Sequence, residues 1–232
     1  MRSYYTMQEI EFITNIHKST QRDYIGRVNE SDKAACAEIA IKWGKDYWDG
    51  DRKHGYGGYN YDGRWRTVAE TMANHYGLKD DARILDVGCG KGFLLYEFLQ
   101  ILPNCEVIGV DISEYAIENA KDEIRSNLNI AQAQSLPFEE GSFDFVYSIT
   151  TLHNLLLPDL MSALSEIMRV GKQHRYVTVE AYRNEREKVN LLYWQLTCRA
   201  SIHRRVVWCL KMQNMTVIMA IFISSKNSQP PL

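Results

Sequence analysis

The sequence predicts an α/β domain: a doubly wound, mainly parallel sheet with helices on both faces and a helical cap in front of it. Two observations carry that expectation. From residue 82 onward short apolar runs alternate with amphipathic helical patterns, the order that builds a parallel sheet. A glycine turn, Gly88-Cys89-Gly90-Lys91-Gly92, joins the first of those runs to a helix. The 232 residues are a length that one α/β domain fills. With 45% hydrophobic and 24% charged residues and a net charge of −2, neither a disordered chain nor a basic nucleic-acid surface is expected. A small-molecule partner fits that balance.

The elements follow in order. Amphipathic patterns over residues 6–18 and 31–44, the second capped by Ser31, predict the helical cap. Residues 46–50 and then 54–65 are dense in glycine and aromatic rings and read as an ordered loop, a lid segment. Residues 65–76 return to helical spacing, so 1–78 form the cap and lid. Residues 82–87 are short and apolar between polar neighbours, as in a buried parallel strand, and 93–102 are helical up to Pro103. Val107 to Val110 is a second apolar run that ends on Asp111. Ser113 then caps a helix with the stripe Ala116, Ile117, Ala120, Ile124 and Leu128. Residues 129–134 give a weak third strand and 143–149 a fourth. Pro158 opens a helix that Gly171 closes, the usual asymmetry of helix ends. A fifth strand over 176–180, a helix over 185–197 and a late strand over 217–223 complete the pattern. Residues 79–198 are the core and 199–232 an atypical tail.

The turn is where a ligand is expected. Glycine permits positive φ and brings main-chain N–H groups up to a ligand at a helix N-terminus. The spacing is G-x-G-x-G, with Asp86 two residues before it and Asp111 closing the second strand. These residues, with Ser135-Leu136-Pro137-Phe138 and Ser142-Phe143-Asp144, resemble the class I, Rossmann-like S-adenosylmethionine (SAM) methyltransferases, in their small-molecule (type 11-like) branch. The resemblance implies that Asp86, Gly88, Cys89 and Gly90 surround the amino-acid half of SAM. It implies that Asp111 accepts both ribose hydroxyls and that Ile112 flanks adenine. Gln132-Ala133 stands where the family often has an acid and then Ala; the amide still accepts from the adenine amine. Thr150 borders the same cofactor.

The implied reaction is methyl transfer from SAM to an O or N atom of a small-molecule acceptor. His153, just past the fourth strand, is the candidate general base because imidazole titrates near neutrality, with packing against SAM as the other reading. Asn154 would orient either group. Tyr56, Tyr59, Tyr61, Arg64 and Trp65 suit a lid over SAM and acceptor, or a structural wrap. Trp48 and Trp194 are expected in the core and Lys91 in solvent. Cys89, at a helix N-terminus, is expected to have a lower thiol pKa than most. Two alternatives stand beside this reading. One is a SAM-binding module with little activity. The other is an NAD-linked oxidoreductase, which would want glycine where Phe93 stands.

Five widely spaced cysteines without a C-x-x-C pattern predict reduced thiols, no metal site and a cytoplasmic protein. The opening residues carry acids where a signal peptide needs apolar ones, and no run approaches the roughly 20 apolar residues of a membrane span. A soluble chain without membrane or nucleic-acid partners is expected. After Cys198 the resemblance stops, and Arg199, His203, Arg204 and Arg205 replace the expected pattern. A shifted reading frame that disturbs the last strands is the expectation there.

Overall fold

Strand β1 (Arg83–Val87) forms because Ile84, Leu85 and Val87 point apolar side chains to both faces of a sheet covered on each side. It pairs in parallel with β2 (Glu106–Asp111), which in turn pairs with β3 (Leu128–Ile130). On its other side β1 pairs with β4 (Phe143–Ser148), followed outward by β5 (Gly171–Val179). A short parallel pair, β6 (Ala181–Tyr182) and β7 (Ile202–His203), comes next, and β8 (Ile218–Ile221) lies beside β5. The sheet order is β3-β2-β1-β4-β5-β8, all parallel, so its direction of growth reverses between β1 and β4. An open parallel sheet binds ligands at the carboxyl ends of its strands beside such a switch point. This computed structural model describes residues 12, 13, 16, 23–182, 184–199, 202–203 and 218–221.

The helices are α1 (Tyr24–Asn29), α2 (Lys33–Ala40) and α3 (Lys45–Trp48) in the cap, then α4 (Arg66–Tyr76) and α5 (Phe93–Ile101). They continue with α6 (Glu114–Glu118), α7 (Asp122–Arg125), α8 (Leu157–Val170) and α9 (Glu185–Trp194). Val68 and Met72 of α4 and Leu95 and Phe98 of α5 bury against Ile84, Val107, Phe145 and Tyr147 on one face. Leu160, Leu164 and Ile167 of α8 bury against Leu85, Val87, Val146 and Val177 on the other. The alternation of Ile84 and Leu85 between the two clusters is the period-two pleat of a strand buried on both faces.

Several expected boundaries move. Asp32, not Ser31, caps α2, because its carboxylate accepts from the Ala34 and Ala35 N–H groups at 2.9 and 3.2 Å; the helix ends at Ala40. Ser113 does cap a helix, accepting from the Ala116 N–H at 3.1 Å, but that helix stops at Glu118. Lys121 takes an extended conformation (φ −60°, ψ 141°) before α7, so the expected single stripe is split, and Leu128 opens β3 instead of closing a helix. The third strand is three residues long and ends at Ile130. Gly171 is extended (φ −86°, ψ 135°), so it starts β5 directly and that strand is longer than expected. The late strand is present over 218–221. Of the helix expected over 6–18 only residues 12, 13 and 16 are among the described residues, and the tail beyond the strand residues named above lies outside them.

Candidate functional site

The site begins where β1 runs out. Gly88, Gly90 and Gly92 all have positive φ (+84°, +54° and +69°), and the Gly88 and Cys89 N–H groups donate to the Val110 carbonyl at 2.7 and 3.1 Å. The turn is thereby tied to the end of β2. A side chain at Gly88 would overlap Thr151, whose hydroxyl donates to the Gly88 carbonyl at 3.1 Å. One at Gly90 would come within 2.7 Å of the Trp48 ring.

Asp111, the last residue of β2, accepts from the Gly90 N–H through Oδ2 and from the Ser113 N–H through Oδ1, both at 2.8 Å. Burial nonetheless raises its pKa above the ordinary carboxylate value, against the pull of those backbone bonds. Asp86 is 5% exposed and sits in register with Tyr147 on β4. Burial pushes its pKa well up, with the Tyr147 hydroxyl opposing and the Asp111 charge adding. Two carboxyls short of compensation flank one glycine turn. A ligand that brings hydroxyl or ammonium donors would relieve both, since each carboxylate has about four acceptor positions. The vicinal ribose hydroxyls and the ammonium of SAM are such donors, so the residues present fit that cofactor.

The remaining expected cofactor residues lie on the same edge of the sheet. Ile112 is half exposed beside Asp111. Gln132 is exposed and Ala133 half-buried in the loop after β3. Thr150 adopts φ +54°, a left-handed conformation unusual for a β-branched residue, held by its N–H donating to Thr178 Oγ1 at 2.7 Å. Two expectations are corrected here. The Cys89 thiol is raised well above the ordinary value, not lowered, because it is buried and faces the Asp111 and Asp86 carboxyls. Lys91 is 4% exposed rather than solvated, and its ammonium donates to both oxygens of Asp49 at 2.7 and 2.8 Å.

The aromatic segment divides in two. Tyr56, 38% exposed overall, hydrogen-bonds Thr150 and Tyr47 through its hydroxyl and lies near Asp111; desolvation of that hydroxyl is the main cause of its raised pKa. The Tyr59 ring stacks on Phe93 with centroids 5.0 Å apart, and its side chain bonds to that of Trp65. These two rings flank the turn together with Trp48, which is stacked on Tyr56 at 5.3 Å and 7°. Trp48 is buried as expected, yet it also roofs Gly90, a contact that the sequence reading missed. Tyr61 also meets Phe93, edge-on at 5.6 Å, but its hydroxyl and Arg64 are bonded to other groups. The Tyr61 hydroxyl donates to Glu97 of α5 at 2.6 Å, which pushes its pKa up to about 12, and Arg64 pairs with Asp62 at the surface. Trp65 leads into α4 and packs on the core. Trp194 is half-buried under the Arg27 and Arg52 guanidiniums, not part of the core.

His153 does not open onto the crevice. It lies in a 3-10 turn, Leu152–Asn154, is 4% exposed, and its Nδ1 has no hydrogen-bond partner among the described residues. Burial lowers its pKa to about 4, so it stays neutral, and a weak base, where a titration near neutrality was expected. Asn154 accepts from the Thr197 hydroxyl at 2.7 Å. An ordinary histidine protonates near pH 6.5 and folded His153 only near 4, so the unfolded chain takes up the proton first. The stability is complete above pH 6.5 and is lost as the pH falls through 4. His153→Leu is expected to remove up to about 3 kcal/mol of this acid sensitivity. Thermal unfolding of both proteins at pH 7 and pH 4.5 checks it; parallel pH profiles contradict it.

Residues 85–179, from β1 to the end of β5, match the family model described as a methyltransferase domain. This segment is a methyltransferase domain. Its class I, Rossmann-like character agrees with the sheet order and the glycine turn at the switch point. The family match favours the methyltransferase reading over the oxidoreductase one. The methyltransferase domain contains Asp86, the turn, Asp111, Gln132, Thr150 and His153, whereas Trp48, Asp49 and the aromatic segment precede it. The chain is 39% identical over 115 residues to a demethylmenaquinone methyltransferase of Lactococcus lactis, covering 47% of this chain and 44% of that one. It is 33% identical over 130 residues to a tRNA (carboxymethyluridine(34)-5-O)-methyltransferase of Arabidopsis thaliana, covering 56% and 30%. A sterol 24-C-methyltransferase of Schizosaccharomyces pombe is 33% identical over 109 residues, covering 44% and 28%. The chain thus covers less than half the length of each of these relatives. Among the described residues no helix is long and apolar enough to cross a membrane.

Proposed function

We propose that the chain is a SAM-dependent methyltransferase acting on an O or N atom of a small-molecule acceptor. The observation that carries this is Asp111: a half-buried carboxylate at the carboxyl end of β2, bonded to the N–H of a glycine turn, with its pKa raised by desolvation. Asp111 would take the ribose hydroxyls, Asp86 and the turn the amino-acid half, and Ile112 with Gln132-Ala133 the base. Bound there, SAM would supply an activated methyl group: an acceptor lone pair would bond to the methyl carbon as the carbon–sulfur bond breaks, its electron pair leaving with sulfur as a neutral thioether and the acceptor's proton passing to water.

The residues themselves need only align the acceptor and keep water out. Trp48, Tyr56 and Tyr59 supply an apolar roof next to the turn. His153, neutral and weakly basic, serves as packing behind the crevice, which suits an acceptor whose lone pair is free without a strong base. The named relatives act on a modified tRNA uridine, demethylmenaquinone and a sterol carbon; a small-molecule acceptor is proposed here because the net charge of −2 offers no basic nucleic-acid surface. Calorimetry with SAM and with NAD tests the cofactor, and release of S-adenosylhomocysteine on incubation with a cell metabolite extract tests turnover. Heat with SAM alone, followed by turnover, supports the reading. Binding of NAD in preference to SAM overturns it, and SAM binding without turnover reduces the chain to a cofactor-binding module.

A further inference from the structure

One carboxylate outside the methyltransferase domain ties its two cofactor-side segments together. Asp49 follows α3 and accepts from the Lys91 ammonium of the glycine turn at 2.7 and 2.8 Å, from the Tyr115 hydroxyl of α6 at 2.9 Å, and from the Tyr59 N–H of the aromatic segment at 3.0 Å. Lys91 is inside the turn, and Tyr115 stands four residues after Asp111. The neighbouring Trp48 repeats the arrangement. Its ring occupies the space over Gly90, while its indole N–H lies 2.9 Å from Ser113 Oγ and 3.0 Å from the Trp43 carbonyl. Ser113 in turn donates its N–H to Asp111. The Lys91–Asp49 pair is well shielded, with side-chain exposures of 5% and 23%, so it escapes most solvent screening.

We propose that Asp49 is a positioning residue of the cofactor site, fixing the spacing between the glycine turn and the Asp111 segment through Lys91 and Tyr115 and holding Trp48 over Gly90. Asp49 touches neither reacting atom nor acceptor in this scheme; it acts through groups that surround the cofactor. The inference rests on the reading that this site holds SAM. A buried ammonium that loses its carboxylate partner must draw in water or swing outward, and either movement displaces the turn from which it projects. A carboxylate is needed, because it alone can serve three donors from three segments while carrying the charge that Lys91 requires.

The test is calorimetric affinity for S-adenosylhomocysteine, which needs no knowledge of the acceptor. Asp49→Asn and Lys91→Met are each expected to weaken binding roughly ten-fold or more. The double variant is expected to be no weaker than the worse single one, since both break the same interaction. If Asp49→Asn does not fold, Lys91→Met carries the test, with the same expected loss. Wild-type affinity in the folded single variants, or losses that simply add in the double variant, overturns the proposal and leaves the function reading intact. Failure of the wild-type protein to bind S-adenosylhomocysteine overturns the function reading and this proposal together.

Discussion

Asp111→Ala is expected to weaken binding of SAM and S-adenosylhomocysteine by about 100-fold or more. The two ribose hydroxyls would each lose a charge-assisted hydrogen bond worth about 1.5–3 kcal/mol. The same substitution frees the Gly90 and Ser113 N–H groups, which now donate to this carboxylate at 2.8 Å, so the turn itself loosens. Asp111→Asn separates the two effects. It keeps one acceptor oxygen but turns an amide N–H₂ toward groups that are themselves donors, and it should lie between wild type and alanine in affinity. Calorimetry of the three proteins, with thermal unfolding in the absence of ligand as a check on folding, gives the answer. Unchanged affinity in Asp111→Ala would remove the ribose assignment.

Gly88→Ala is expected to cost stability rather than only affinity. Alanine at φ +84° pays about 1–2 kcal/mol for the left-handed conformation. The added Cβ also overlaps the Thr151 side chain, and forcing atoms into a packed site costs typically 1–3 kcal/mol more. A total of about 2–5 kcal/mol corresponds to a fall in Tm of roughly 5–15 °C for a domain of this size. Gly63→Ala is the control. Its φ is +77°, but no atom lies within 4 Å of the added Cβ, so only the conformational part remains. Equal shifts for both variants would show that the contact with Thr151 plays no part.

The frame of the fold was legible because buried parallel strands are short apolar runs and their helices carry a 3.6-residue stripe. β1, β4 and α8 are cases in which local pattern and tertiary burial agree. The break between α6 and α7 was not legible. Ala116, Ile117, Ala120, Ile124 and Leu128 keep a helical spacing, yet the backbone at Lys121 is extended and the last of them belongs to a strand. The turn and its two aspartates could be read because their meaning depends on residues within the motif. Lys91 could not, since its partner Asp49 lies 42 residues earlier and is brought to it only by the fold. The acid run Asp46, Asp49 and Asp51, set among Tyr47 and Trp48 just before the glycine-rich stretch, was the available signal. His153 was misread for the same kind of reason. Its position past β4 is correct, but burial is a tertiary property, and burial moves its pKa from near neutrality to about 4.

A crystal structure with S-adenosylhomocysteine bound would place every group at once. The nucleoside is expected at the carboxyl ends of β1 and β2, its ribose hydroxyls on Asp111, its amino-acid end against Asp86 and the glycine turn, and Trp48 beside Gly90. Density for the nucleoside at any other place on the chain, or a ribose that does not touch Asp111, would contradict the site described above.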